Sequence, residues 1–207
     1  MIHIDKIVVS PFKTNCYFVY KNNYGIIIDP GGDCHLIKNK LDELKDIKFE
    51  YIFNTHGHSD HTFCDRFLKE KYNLKISIHK KDAFFLSEES INKIWAPGFK
   101  EVEPDYLFDD DEEFELKEFK IKVFHTEGHT PGSVMFILDN IIFSGDTIFK
   151  GTIGRTDFEY GNKEKMKESI IKILENLKGD YTIFPGHGDK TNLNKEIDNL
   201  NYFLDLL

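Results

Sequence analysis

The apolar positions of the chain change period several times, and each change marks an element. C-Y-F-V-Y at 16–20 and Y-G-I-I-I-D at 24–29 are aromatic and β-branched runs joined by a turn at K-N-N. The second stops at the breaker P-G-G, so the pair predicts two adjacent strands. Leu36, Ile37, Leu41 and Leu44 then recur at helical spacing, and F-E-Y-I-F-N-T at 49–55 returns to a strand pattern. Beyond it Phe63, Phe67 and Leu68 predict a helix, K-I-S-I-H at 75–79 a strand, and K-D-A-F-F-L at 81–86 another helix. Residues 88–105 carry no period and read as a connecting loop or lid. The second half repeats the plan. The stretches 114–125, 133–138 and 140–146 predict sheet, and Met166, Ile170, Leu174 and Leu177 predict a helix that Gly179 stops. Y-T-I-F at 181–184 predicts a short strand and Ile197, Leu200 and Leu204 a last helix. Two comparable halves, each a mixed sheet flanked by helices, predict a pseudo-symmetric α/β sandwich over a single domain, 1–207.

Composition narrows the function classes. Hydrophobic residues make up 40% of the chain and 19 phenylalanines supply bulk for a core, so a folded globular protein is expected. A net charge of −9 argues against nucleic acid or an anionic membrane surface as the partner, since both reward a basic face. The first residues, M-I-H-I-D-K-I-V-V-S, lack the basic and apolar blocks of a leader, and no eighteen apolar residues are consecutive, which predicts a cytoplasmic, unanchored protein. Three cysteines, Cys16, Cys34 and Cys64, form no C-x-x-C pair and are expected as free thiols in a reducing compartment.

Chemistry enters at T-H-G-H-S-D-H-T, residues 55–62, where a predicted strand ends and a helix opens. Side chains at i and i+2 of such a turn, His56 and His58, can converge on one cation, while Asp60 and His61 at the helix start point to a neighbouring position. Four residues cannot complete two coordination spheres. Three further ligand types stand at predicted strand ends beside glycines: His129 in E-G-H-T-P-G, Asp146 in S-G-D-T and His187 in P-G-H-G-D. Imidazoles and carboxylates are the donor set of a catalytic zinc, iron or manganese site. The other histidines have plainer readings. His125 is expected to be packed or to support a ligand, His79 to end a surface strand, and His3 and His35 have no partner motif.

The series T-H-x-H-x-D-H, G-H-T, G-D and P-G-H-G, with N-C-Y at 15–17 and D-P-G-G at 29–32, resembles the metallo-β-lactamase fold over essentially the whole chain, and within it the short glyoxalase-II-like hydrolases. The resemblance implies a four-layer αββα sandwich with two divalent ions, zinc first and iron or manganese as alternatives. It gives His56, His58 and His129 to one ion and Asp60, His61 and His187 to the other, with Asp146 as the bridge. It also implies hydrolysis of a small acyl-thioester such as S-lactoylglutathione by a hydroxide held at the metals, with Asp60 and Asp146 orienting it. Asp29 is expected to brace the ligand loop and Arg155 to pair with Asp157. True lactamases of the fold usually lack the residue matching His61, and its nucleases carry an extra domain. G-R-T-D-F at 154–158 also resembles the persulfide dioxygenases of the fold, which implies mononuclear iron on His56, His129 and Asp146 as the rival. A non-enzymatic binding module would be expected to have lost ligands, and none of the seven is missing.

Overall fold

Alternation along the strands decides the layering. The computed structural model describes the backbone of residues 1–207 and the side chains of all but Phe114. In chain order the elements are β1 (His3–Val9), β2 (Thr14–Lys21), β3 (Tyr24–Ile28), α1 (Cys34–Glu43), β4 (Lys48–Phe53), α2 (Ser59–Thr62), α3 (Asp65–Tyr72) and β5 (Lys75–His79). A 3₁₀ turn at Lys80–Leu86, α4 (Asn92–Trp95), β6 (Tyr106–Phe108), β7 (Glu113–Leu116), β8 (Phe119–His125), β9 (Val134–Leu138) and β10 (Ile141–Gly145) follow. The chain closes with β11 (Ile148–Phe149), β12 (Thr152–Ile153), α5 (Lys163–Asn176), β13 (Thr182–Pro185), β14 (Thr191–Asn192) and α6 (Leu193–Leu206).

The strands form two sheets ordered β1-β2-β3-β4-β5-β6 and β14-β13-β10-β9-β8-β7, with β11 and β12 as a separate small ribbon. Within β2–β4, Tyr17, Val19, Ile26, Ile28 and Phe53 face Ile121, Val123, Phe136 and Phe143 of the other sheet. Their alternates, Phe18, Ile27 and Ile52, turn outward onto Ile37 of α1 and Leu68 of α3. The second sheet mirrors this, with Phe124, Met135, Ile137 and Ile142 packed on Met166, Ile170 and Ile173 of α5 and on Leu193 and Leu200 of α6. Both faces of each sheet are therefore apolar and covered, which makes the α/β sandwich that the pattern predicts, and the order helix, sheet, sheet, helix is the four-layer αββα arrangement that the resemblance implies.

Parallel pairing needs crossovers. β3 and β4 pair in parallel, with α1 between them, and β4 and β5 pair in parallel across α3. In the second sheet β10 and β13 pair in parallel across α5. This places the C-terminal ends of β3, β4, β5, β10 and β13 along one edge of the sandwich.

The structure refines the expected sheet at 114–125 and departs from expectation elsewhere. The run 114–125 is a hairpin, β7 and β8 in antiparallel register, turning at Lys117, whose φ of 49° puts a lysine where a glycine or asparagine would have announced a turn. The helix expected at 81–86 is the 3₁₀ turn. Cys34 and Cys64 are not free thiols: they form a disulfide across a sequence separation of 30, with Cα atoms 5.6 Å apart, while Cys16 is free and buried. The reason is tertiary. The D-P-G-G loop lies so close to α2 that a Cβ on Gly31 would fall 1.4 Å from the Asp60 carbonyl oxygen, and this approach brings the two cysteines together. The cysteine argument for a reducing compartment lapses with it. No helix is long and apolar enough to cross a membrane among the described residues.

Replacing both Cys34 and Cys64 by alanine frees a loop that the cross-link closes, which costs about 3–4 kcal/mol in the chain-entropy account. Urea unfolding of the oxidised protein is expected to show this loss relative to wild type. Wild type unfolded with excess dithiol reductant is expected to match the double variant.

Candidate metal centre

All seven expected ligand residues lie on that edge. His56 and His58 leave β4, and His58 is the extended residue that begins α2, which carries Asp60 and His61. His129 follows β8, Asp146 follows β10 and His187 follows β13. Glycine makes the approach possible at the last of these: a Cβ on Gly186 would sit 2.2 Å from Asp146 Oδ1 and 2.7 Å from His61 Cε1.

Three imidazoles form the first group. His129 Nδ1 donates to the Arg155 carbonyl oxygen at 2.8 Å, which leaves its lone pair on Nε2. The Thr55 hydroxyl donates to Asp29 at 2.7 Å and so accepts from His56 Nδ1 at 3.2 Å, which leaves the His56 lone pair on Nε2 as well. Both Nε2 atoms face His58 Nδ1, at 3.1 Å from His56 and 3.0 Å from His129. At most one proton is available for these two gaps. Burial, and then the surrounding imidazoles, hold His56 far below its usual range, and burial followed by His129 pushes His58 down to about 3. Lone pairs thus converge on a point that lacks positive charge, and a cation fits it.

The second group is charged. Burial opposes a proton on His61, but Asp60, Asp146 and Asp29 outweigh it and lift the ring to about 9. The same contest at His187, with Asp146 and Asp60 against burial, ends at about 10. Asp60 Oδ2 lies 3.5 Å from His61 Nε2 and 3.3 Å from His187 Nε2. Asp146 faces both groups, 3.5 Å from His129 Nε2, 3.4 Å from His61 Nε2 and 3.5 Å from His187 Nε2. Buried His61 Nε2 and Asp146 Oδ1 make no hydrogen bond, so two orphaned polar atoms point into one space. The donor atoms of each of three sets, His56/His58/His129, His56/His61/Asp146 and Asp60/His61/His187, lie within 4.8 Å of one another and could hold a metal ion.

Comparison with known proteins places this arrangement. Residues 9–187 match the model of the metallo-beta-lactamase superfamily. The chain belongs to that superfamily. It is 33% identical to the hydroxyacylglutathione hydrolase GloC of Haemophilus influenzae over 94% of this chain and 95% of that protein. It is also 33% identical to the probable metallo-hydrolase YqgX of Bacillus subtilis over 95% of each. Among solved structures it resembles the B3 metallo-beta-lactamase BLEG-1, with a TM-score of 0.88 and 28% identity over 98% of this chain and 99% of that one. TTHA1623 in a di-iron-bound form is similar at a TM-score of 0.82 and 26% identity, over 93% of this chain and 96% of that one. The superfamily therefore implies divalent metal ions at this edge.

Residues outside the seven hold them in place, and the superfamily motifs in this chain explain several. Asp29 accepts from the Thr55 amide at 2.8 Å, from the Thr55 hydroxyl and from His61 Nδ1 at 2.9 Å, so it braces both ligand groups as expected. In N-C-Y, Asn15 donates to the Pro185 and Gly188 carbonyl oxygens, each at 2.9 Å, and Tyr17 donates to Pro185 O at 2.6 Å, which fixes the loop that carries His187. Thr14 donates to Asp60 at 2.9 Å. Arg155 pairs with Asp157 through two 2.7 Å bonds and lies over the Phe158 ring, 3.7 Å from its centroid.

Two contributors were not visible in the sequence. Trp95, from the segment read as a loop or lid, sets its ring 5.4 Å from that of His58 and 5.7 Å from that of Phe158, which makes an aromatic wall beside the first group. Asp82, wholly buried in the 3₁₀ turn, accepts from Gly57 N at 2.8 Å, Gly132 N at 2.6 Å and Thr130 Oγ1 at 2.6 Å. One carboxylate thus ties the loop of His56 and His58 to the loop of His129. The K-D-A-F-F-L pattern carries no hint of this, because all three partners are distant in sequence.

Asp82→Ala leaves two buried amides and a hydroxyl without their acceptor, and the two loops lose their common anchor. Affinity for the ion held by His56, His58 and His129 is expected to fall about 10–100-fold, the range for loss of a ligand's supporting partner. Competition with a coloured chelator measures it, and an unchanged affinity would show that the loops hold their geometry without the carboxylate.

Proposed function

We propose that this chain is a metal-dependent hydrolase with a two-ion centre that cleaves a small acyl-thioester, S-lactoylglutathione being the type, to a hydroxy acid and a free thiol. The observation that carries the reading is the position of Asp146, whose Oδ2 lies 3.5 Å from both His129 Nε2 and His187 Nε2 and whose Oδ1 lies 3.4 Å from His61 Nε2, so that one carboxylate within reach of both groups can serve two ions. His56, His58 and His129 would hold one ion and Asp60, His61 and His187 the second, with zinc as the first choice and iron or manganese as alternatives. When bound, such a pair of ions lowers the pKa of a water toward about 7 and polarises a carbonyl oxygen. The protein supplies the rest. Asp60, steadied by Thr14, and Asp146 orient the attacking water by accepting its proton-side hydrogen bonds. Trp95 and Phe158 shield the His58 side from solvent. A thioester suits a site of this kind because a thiolate, with a pKa of about 8.5, leaves with little need of a proton donor. The likeness to GloC, a hydroxyacylglutathione hydrolase, supports the substrate class.

A second reading is mononuclear persulfide oxidation on His56, His129 and Asp146. It is favoured by G-R-T-D-F at 154–158, whose Arg155 carbonyl holds His129. The fold likeness to ETHE1 of Myxococcus xanthus, at 21% identity and a TM-score of 0.78, fits both readings.

The test is kcat/KM for S-lactoylglutathione on protein purified without oxygen, with its metals counted. The hydrolase reading expects more than about 10⁴ M⁻¹s⁻¹ and two ions per chain. Asp146→Ala is expected to abolish turnover and to lower the metal content. One iron per chain with oxygen uptake on glutathione persulfide, and no thioester cleavage, would establish the second reading instead.

A further inference from the structure

His79, Asp110 and His125 meet away from the seven ligand residues and bring together both sheets. His79 ends β5 in one sheet, His125 ends β8 in the other, and Asp110 lies in the turn between β6 and β7. His79 is 0% exposed and His125 8%, whereas the Asp110 side chain is half exposed. His79 Nε2 lies 2.8 Å from Asp110 Oδ1, and His125 Nδ1 lies 3.5 Å from the same oxygen.

A proton fills only the first of these gaps: His79 Nδ1 accepts from the Lys81 amide, so the proton sits on Nε2 and is donated to Asp110. His125 Nε2 donates to the Pro131 carbonyl oxygen at 2.9 Å, so the neutral ring carries its lone pair on Nδ1, facing a carboxylate oxygen that is also an acceptor. Burial and the neighbouring His125 push His79 down to about 4, which leaves it neutral near pH 7. The neighbouring charges are already committed. Lys80 pairs with Asp109, Lys172 with Asp111, and Lys81 with Glu127, while Asp110 faces the two imidazoles. The donor atoms of His79, Asp110 and His125 lie within 4.8 Å of one another. Two imidazoles and a carboxylate suit zinc and its neighbours. The Pro131 carbonyl gives His125 the backbone partner that orients a ligating histidine.

We propose that His79 Nε2, Asp110 Oδ1 and His125 Nδ1 form a site for one divalent transition-metal cation, separate from the two-ion centre, that clips the two sheets together. The rings now stack with centroids 4.4 Å apart and planes 11° from parallel. Binding turns them out of the stack so that both lone pairs reach the ion. It also takes His79 Nδ1 away from its long, 3.4 Å contact with the Lys81 amide, which lets the His79 proton move from Nε2 to Nδ1. The exposed side of Asp110 leaves room for water as the fourth ligand.

The test is a metal count on the full chain. Wild type, Asp110→Ala, Asp110→Asn, His79→Gln and Asp109→Ala are each saturated with zinc at neutral pH, freed of excess by gel filtration and analysed, with circular dichroism confirming the fold. The proposal expects the two Asp110 variants and His79→Gln to carry one zinc fewer per chain than wild type, with Asp109→Ala unchanged. This difference is independent of how many ions the main centre holds. Equal zinc in wild type and both Asp110 variants would overturn the proposal.

Discussion

Three imidazole nitrogens held about 3 Å apart, with at most one proton to share between two gaps, is the constraint on which this structure turns. Facing lone pairs repel in a dry interior, so the fold has to hold them there against that repulsion. It does so by hydrogen bonds made on the far side of each ring: Arg155 O behind His129, Thr55 and through it Asp29 behind His56, and Asp82 on the backbone of both loops. An ion that binds the folded form alone relieves the repulsion and stabilises the protein by mass action.

Topology makes those braces possible. Asp29 follows β3 and Thr55 follows β4, and because the two strands run parallel their ends lie side by side. The same logic sets Asp146 beside Gly186 and His187, at the ends of parallel β10 and β13, where the Gly186 amide donates to Gly145 O at 2.8 Å. An antiparallel pair would send alternate ends to opposite edges. The parallel crossovers through α1 and α5 are thus as much a part of the metal centre as the histidines, and the packing of Ile37, Ile170 and Ile173 that anchors those helices bears on its geometry.

The centre is asymmetric. His58 is nearly sealed, with Phe85, Trp95 and Phe158 around its ring, whereas the side chain of His187 is 27% exposed. One flank is therefore apolar and dry and the other is open to water. A substrate with an apolar portion gains most by laying it against the aromatic flank, because that surface loses little solvation on contact. Water has its route on the His187 side, where Asp60 and Asp146 lie.

Local chemistry was legible in the sequence, and distant pairing was not. The α/β sandwich follows from the nearly unbroken apolar runs of β2, β3, β9 and β10, buried on both faces, together with helical spacing in α1 and α5, each a property of a few neighbouring residues. The seven candidate ligands were legible because each sits beside a glycine or in one short turn at a strand end, and the structure brings them to one edge of the sandwich. N-C-Y gave a signal whose reason appears only in the fold, as the clamp on the His187 loop. Asp82, Trp95 and the Cys34–Cys64 bond gave none. An acidic residue inside K-D-A-F-F-L looks like any exposed helical aspartate until the loops of His56 and His129 close over it, 25 and 50 residues away from it at Gly57 and Gly132. The disulfide obeys the same rule. Cys34 opens α1 and Cys64 follows α2, and their meeting depends on Gly31 allowing two loops to touch, which no count of cysteines could show. What a sequence conceals in this fold is the support between loops, and that support is where a substitution remote from any ligand can still disturb the metals.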